Sequence, residues 1–376
     1  MIWEGEDARV APFIDSICDA FRKLPGNEGL RIVRTHYQPE DLRQQFITAS
    51  IAGSPPDLLM DASDTVGPYS TAGFILPAGG LFSMDRYNKL AVQVVTIQGK
   101  IWGVPISNGN HLMLYYNKAL VPRAPRTTQE LFHYCETEAP RRGLRYCMAV
   151  NRGEPFWLMP WLGAFGGWPL DGRSPTLDTP AMREALAFNV ALAAKRFVPM
   201  ECDYNCMDSL FKESKVAFII NGDWALSTYQ SYFGAKFGVA KIPRLTQTGL
   251  WPTPMIGGKY FMLSSKLKGK QLQLARRFVE FYTNEHNQLE QVRVLKRLPA
   301  LKSAALSPLV RNDPILKVSM AQIHVGKPMP AVTEMRVVWD AMRPFLGQVI
   351  QGELTPAQAA RKMQADAIQK IREMDN

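Results

Sequence analysis

Acidic and aromatic side chains recur where short apolar runs break off. Asp61 and Asp64 follow the run Leu58, Leu59, Met60; Glu154 is followed by Phe156, Trp157 and Trp161; and Trp224 closes the stretch FKESKVAFIINGDW at 211–224. Carboxylates beside aromatic plates suit a sugar, whose CH faces stack on π surface while its hydroxyls donate directional hydrogen bonds to the acid. Each of these residues also has a plainer reading. Asp64 and Glu154 are at positions where an acid caps a helix, and Trp157, Trp161 and Trp224 suit the core at a helix start. Ser107, Asn108, Gly109 and Asn110, small or polar between two apolar runs, suit a hinge or a binding rim. Paired acids are equally the tools of a glycoside hydrolase, which needs them about 5 to 10 Å apart across one bond. Sequence spacing does not set that distance.

Other chemistries find less support. Gly257 and Gly258 lack the rest of a phosphate-binding fingerprint, and no Ser, His and Asp fall in a nucleophile-elbow context. With five cysteines and five histidines, no metal-ligand spacing emerges, so neither a metal nor a cofactor is expected. Cys202 with Cys206 would close a small loop and Cys135 with Cys147 would join a helix to the next strand, leaving Cys18 over. Buried thiols are the favoured alternative.

The elements that position these residues follow from apolar periodicity. Around Trp224, 211–215 reads as a helix end, 216–220 as a strand, and 221–223 as a turn into a new helix. Trp224 then stands at the carboxyl end of a strand, where open α/β sheets meet their ligands. Upstream, 10–24 is helical, 30–33 a strand, and 39–52 a helix with Leu42, Phe46, Ile47 and Ala49 facing inward. A hairpin is expected at 97–106, a strand at 112–116, a helix from Thr127 or Thr128 to about Cys135, and a strand at 144–150. Helices follow at 180–194, 271–282, 314–326, 337–350 and 355–374, with strands at 237–242 and 256–263. Strand, helix, strand repeated in this way is an α/β pattern.

A chain of 376 residues, 46% hydrophobic and 21% charged, is globular and long enough for two domains. No apolar stretch approaches the roughly 20 residues that span a bilayer. Met1 is followed at once by Ile2 and Trp3 rather than by a leader, so any targeting segment lies outside this sequence. The formal charge of +10 suits an anionic partner, surface or ligand, yet no compact, aromatic-interleaved basic tract appears. Nucleic acid is not an expected partner.

Taken in order, several pieces resemble the extracytoplasmic solute-binding proteins of ABC importers, in particular the sugar-binding family that includes maltose-binding protein. They are Ile2-Trp3, GSPPD at 53–57, Tyr69 with Gly73, GKIWGVP at 99–105, LYYNK at 114–118, FIINGDW at 218–224, and Met329-Pro330. The resemblance runs through nearly the whole chain. It implies an α/β, two-lobe periplasmic-binding-protein-like fold with discontinuous domains, 1–107 with 259–308 and 108–258 with 309–376, closing on a central ligand cleft. It also implies non-catalytic binding of maltose or a malto-oligosaccharide, or of a different disaccharide or glycoside, with a glycoside hydrolase as the rival class. The partners implied are the carbohydrate and the importer's membrane subunits, and the protein is expected to be a periplasmic or lipid-anchored monomer. The implied ligand contacts are Asp61, Asp64, Asn108, Asn110, Glu154, Phe156, Trp224 and Trp339. Relative to the maltose-binding pattern, Asp61 replaces an aromatic, Thr65 replaces a basic donor, and 107–110 carries one residue more and no acid. The pattern's basic sugar contact near the first strand has no counterpart around Glu6 and Asp7.

Overall fold

Helical spacing puts Phe13, Ile14, Ile17 and Phe21 on one buried face of the helix Ala11–Arg22, and that stripe fixes where the first sheet must lie. The computed structural model describes residues 1–6 and 10–375, and only the backbone of Asp375; Asp7 is outside the described residues. The strands that organise the chain are β1 (Ile2–Glu4), β2 (Arg34–His36), β3 (Leu58–Ala62), β4 (Val104–Pro105), β5 (Leu112–Asn117), β6 (Met148–Ala149), β7 (Phe218–Gly222), β8 (Phe237–Ala240) and β9 (Lys259–Leu263). They fall into two units, each built of several chain segments. Unit 1 is Met1–Asn110, Ile256–Lys317 and Pro328–Thr333; unit 2 is His111–Met255, Val318–Lys327 and Glu334–Asn376.

In unit 1 the sheet order is β2-β1-β3-β9-β4. β1 runs parallel to β2 and β3, and β9 runs antiparallel to β3 and β4. Side chains alternate across this sheet. Ile2, Leu58, Met60, Phe261 and Leu263 join a core with Phe13, Phe21, Phe278 and Tyr282, while Leu59, Tyr260 and Met262 join another with Leu42, Phe46 and Tyr69. Helices therefore cover both faces, one being Ala11–Arg22 with Gly269–Tyr282 and the other Pro39–Ile51. In unit 2 the order is β8-β5-β7-β6, with β7 antiparallel to β5 and parallel to β6. The helix Pro155–Ala164 is buried along nearly its whole length. It packs with Pro180–Ala194 and Glu334–Ile350, and Pro356–Asp375 packs on the last two.

Several expectations need correction. The strand expected at 30–33 forms instead at Arg34–His36; Leu30 and Ile32 pack on the core without entering the ladder. Ile47 is exposed, and the buried stripe of its helix is Leu42, Phe46 and Ser50, four residues apart. The hairpin is shorter than 97–106, pairing Thr96–Ile97 with Lys100–Ile101, because Val104 and Pro105 leave it to pair with β9. The strand expected at 144–150 is only Met148–Ala149. The helix begun by the Thr127 cap continues to Arg141, through Pro140. The favoured reading of buried thiols also fails for four cysteines. Cys135 is bonded to Cys147 and Cys202 to Cys206, leaving Cys18 as a buried thiol.

The expected limits of the lobes also shift. Residues 309–317 and 328–333, allotted to the second lobe, belong to unit 1. Pro308–Arg311 packs on Glu285–Leu295, Lys296 Nζ lies 2.7 Å from Asp313 Oδ2, and Met329 N donates to Ile256 O at 2.8 Å. Residues 108–110 and 256–258 join the same unit, with Gly257 N donating to Gly109 O at 2.8 Å.

Candidate functional site

The sequence-derived candidates divide evenly between the units, and in each unit the acids among them face an arginine absent from the sequence-derived set. In unit 1, β3 carries Asp61 and the turn Ser63–Thr65 carries Asp64. Neither that turn nor the helix Val66–Thr71 after it has a side-chain cap, so the capping role proposed for Asp64 is absent. Its carboxylate instead lies 3.3 Å from Arg43 Nη2, and the Nε of Arg43 stands 3.8 Å from Asp61 Oδ2. Asp61 is 1% exposed; its Oδ1 accepts from the Ala62 N–H, and its Oδ2 makes no hydrogen bond among the described residues. Burial pushes the Asp61 carboxyl up, against the lowering effect of Arg43 and Lys259 and with a further push from Asp64.

Ser63 Oγ and Asn108 Oδ1 are likewise buried without a hydrogen bond among the described residues. Asn110, in the left-handed backbone region at φ 50°, ends the first segment of unit 1. A Cβ added to Gly257 would lie 2.8 Å from Ser63 Oγ and 3.8 Å from Asn110 Cβ, so these residues share one neighbourhood. Buried polar atoms are normally paired. Asp61 Oδ2, Ser63 Oγ and Asn108 Oδ1 depart from that rule among the described residues.

A second charge cluster in unit 1 joins Glu6 to Arg297 at 2.7 Å and to Lys259 at 3.6 Å. Burial alone would raise the Glu6 carboxyl, but the two cations outweigh it and hold it below its usual range. Sequence reading found no basic residue near Glu6. The fold brings two, from 253 and 291 residues further along the chain.

In unit 2, Glu154 occupies the cap position of Pro155–Ala164 without capping it. Its two carboxylate oxygens accept from Arg343 at 3.2 and 3.3 Å, a bidentate pair that fixes the acid's orientation. Phe156 stands between two tryptophans, its centroid 6.3 Å from that of Trp224 and 6.3 Å from that of Trp339. Trp224 is held by its Nε1, which donates to the Tyr204 hydroxyl at 3.2 Å, so the indole donor is already used. Trp157 and Trp161 are core, 8% and 4% exposed, with the Trp157 Nε1 donating to Ile220 O. Their plainer reading holds. Trp224 and Phe156 remain half-exposed, whereas Trp339 is buried behind Phe156 at 4% exposure.

A Ser, His and Asp do assemble in unit 2. Ser319 Oγ lies 3.2 Å from His111 Nε2, and His111 Nδ1 lies 3.8 Å from Asp223 Oδ2. Ser319 and His111 are 0% exposed and Asp223 3%, so this group is enclosed, and the His111 Nδ1 makes no hydrogen bond among the described residues. Among the described residues no three His, Cys, Asp or Glu side chains could hold a metal ion.

Arg343 had no signal beside Glu154, from which it is 189 residues distant. Arg43 and Tyr204 had no local signal towards the candidates, because Asp61, Asp64 and Trp224 lie on other elements.

Comparison with known proteins agrees over most of the chain. The family model described as bacterial extracellular solute-binding protein matches residues 16–318. The maltose/maltodextrin-binding domain MalE from Bdellovibrio bacteriovorus bound to maltotriose is similar in structure, with a TM-score of 0.92, 33% identity and 99% of each chain covered. A maltotriose-binding protein of Pyrococcus abyssi is 26% identical over 84% of this chain and 70% of that protein. A galactooligosaccharide-binding protein of Bacillus subtilis is 26% identical over 96% of this chain and 86% of that protein.

Proposed function

Because this chain belongs to the bacterial extracellular solute-binding protein family, we propose that it captures a malto-oligosaccharide outside the cytoplasmic membrane and delivers it to the membrane subunits of an ABC importer. The observation that carries the ligand class is Phe156 flanked at 6.3 Å by both Trp224 and Trp339, beside the Glu154 carboxylate clamped by Arg343. In this proposal the half-exposed Phe156 and Trp224 stack on sugar rings, the buried Trp339 backs Phe156, and the fixed carboxylate accepts the sugar hydroxyls. The similar structure bound to maltotriose and the maltotriose-binding relative support the same reading. Asp61, Asp64, Asn108 and Asn110 form the second set of sugar contacts in this proposal. Binding is non-catalytic, and the protein works as a monomer, free or lipid-anchored.

A thermal-shift screen over maltose, maltotriose, longer malto-oligosaccharides and galacto-oligosaccharides, followed by calorimetry on each hit, tests the proposal. The expected result is tightest binding of a malto-oligosaccharide, with the sugar recovered intact on chromatography. Sugar cleavage would overturn the non-catalytic reading. A second reading, an oligosaccharide of another sugar, is favoured by Asp61, whose buried carboxylate departs from the maltose-binding pattern, and by the galactooligosaccharide-binding relative. Response to galactosides alone would select it, and response to no glycan would reject both.

A further inference from the structure

The formal charge of +10 plays no part in holding a neutral sugar, and part of it is gathered on one edge of unit 2. No Asp or Glu occurs between Asp85 and Glu130, nor between Asp223 and Glu280. The fold lays parts of these two acid-free tracts side by side. β8 is the edge strand of its sheet, paired in antiparallel register with β5 from Phe237 opposite Asn117 to Ala240 opposite Leu114. Lys236 precedes this strand and Lys241 follows it. At one end the Lys118 N–H donates to Lys236 O at 2.7 Å; at the other the Arg244 N–H donates to Arg126 O at 3.0 Å. Arg123 lies on the loop between Lys118 and Arg126.

Five of these cations are exposed and Lys241 is half-buried. None of the six makes an ion pair among the described residues. Of the nearest acids in sequence, Glu213 pairs with Lys215, and Glu130 accepts from the Arg126 N–H and keeps its charge at the margin of the face. Apolar side chains border the same end. Leu250, 47% exposed, bonds through its carbonyl to the Leu245 N–H, and Lys241 Nζ stands 3.3 Å from the ring centroid of the half-exposed Trp251.

We propose that this edge, with Lys118, Arg123, Arg126, Lys236, Lys241 and Arg244 around Leu250 and Trp251, docks on an anionic lipid bilayer. Unpaired cations spread along a strand edge match a surface of many phosphates better than one acidic group in a fixed place. A tryptophan and an exposed leucine beside them suit the headgroup boundary, where an amphipathic ring and an apolar tip are both accommodated. Unit 2 begins at His111, and β5 starts at the next residue, Leu112, and runs towards Asn117. The Lys118 end of the face is thus at the far end of that strand from the crossing.

The test is sedimentation of the full chain with vesicles of equal parts phosphatidylglycerol and phosphatidylcholine, beside vesicles of phosphatidylcholine alone. Binding to the anionic vesicles only, weakening as salt is added, is expected. The combined variant K118E, R126E, K236E and R244E should reduce the bound fraction by roughly tenfold or more, given the contribution of each cation at a charged surface. A matching set of neutral glutamine replacements should reduce it less, and sugar affinity and circular dichroism report whether either variant is folded. K100E, K266E, K268E and K270E together, four exposed lysines of unit 1, match the change in net charge. No binding to anionic vesicles overturns the proposal. So does equal loss in the control, which would assign the attraction to overall charge. Capture on an acidic polypeptide resin through the same residues, without vesicle binding, would give the face to an acidic protein instead and equally overturn it.

Discussion

Trp224 reaches its place because the residue two before it has no side chain. A Cβ on Gly222 would fall 2.0 Å from the indole ring, so the end of β7 lets the ring fold back towards Phe156. Replacing Trp224 by Ala should therefore leave the sheet intact and weaken sugar binding by about 2 to 4 kcal/mol, the range for a central aromatic anchor. Calorimetry with the best glycan ligand checks it, and unchanged affinity would move the site off this cluster. His111 permits a separate prediction about pH. Burial lowers its pKa from the ordinary 6.5, against the opposing pull of Asp223 and Ser319. The unfolded chain therefore takes up this proton first as the pH falls below that value, and stability falls with it. Asp61, whose pKa is raised, contributes the opposite sign. The readout is thus the difference between the wild type and H111Q. The variant should lose less of its thermal midpoint between about pH 7 and pH 5, and parallel profiles would contradict the assignment. Acids and aromatics were legible in sequence as types, because they stand where apolar runs end, although Trp157 and Trp161 at such a place are core. Their arginines were not, since Glu154 and Arg343 are 189 residues apart.

At the scale of elements, the two disulfides act on different amounts of chain. Cys135 to Cys147 ties the helix Thr128–Arg141 to β6 across a separation of 12, while Cys202 to Cys206 spans 4 at the start of Tyr204–Lys212. In the chain-entropy account a longer loop gives more stability. Replacing both Cys135 and Cys147 by Ser should cost about 2 to 3 kcal/mol, and the shorter bridge less. Urea unfolding of the two double variants compares them, and equal midpoints would refute the ordering. The helices were the most legible elements: 180–194 agrees with Pro180–Ala194 at both ends, where Thr179 caps and Pro180 starts the helix. Short strands were less so. Leu30 and Ile32 carry an apolar pattern for packing alone, and the neighbouring ladder runs through Arg34, Thr35 and His36, whose side chains give no apolar signal. Val104 was assigned to a hairpin because its true partner, Phe261, lies far along the chain.

Across the whole molecule, the chain changes unit at 110/111, 255/256, 317/318, 327/328 and 333/334, so neither unit is a continuous stretch. A chain ending at Thr333 keeps every segment of unit 1 and loses the helices Glu334–Ile350 and Pro356–Asp375. The first of these buries Met335, Val338, Met342 and Leu346, and its loss strips the helices Pro155–Ala164 and Pro180–Ala194 of their partner. Limited proteolysis should then degrade 111–255 while the segments of unit 1 survive; equal resistance in both would show that unit 2 closes without its last helices. The odd cysteine makes such selective opening measurable. Both disulfides belong to unit 2, whereas Cys18 belongs to unit 1, is 7% exposed, and has its thiol pushed up to about 12, chiefly by burial. A maleimide dye added under native conditions can therefore react at one atom only, and only in the instants when unit 1 breathes. The labelling rate is an internal clock for one half of the molecule, silent to events in the other and already written into the natural sequence.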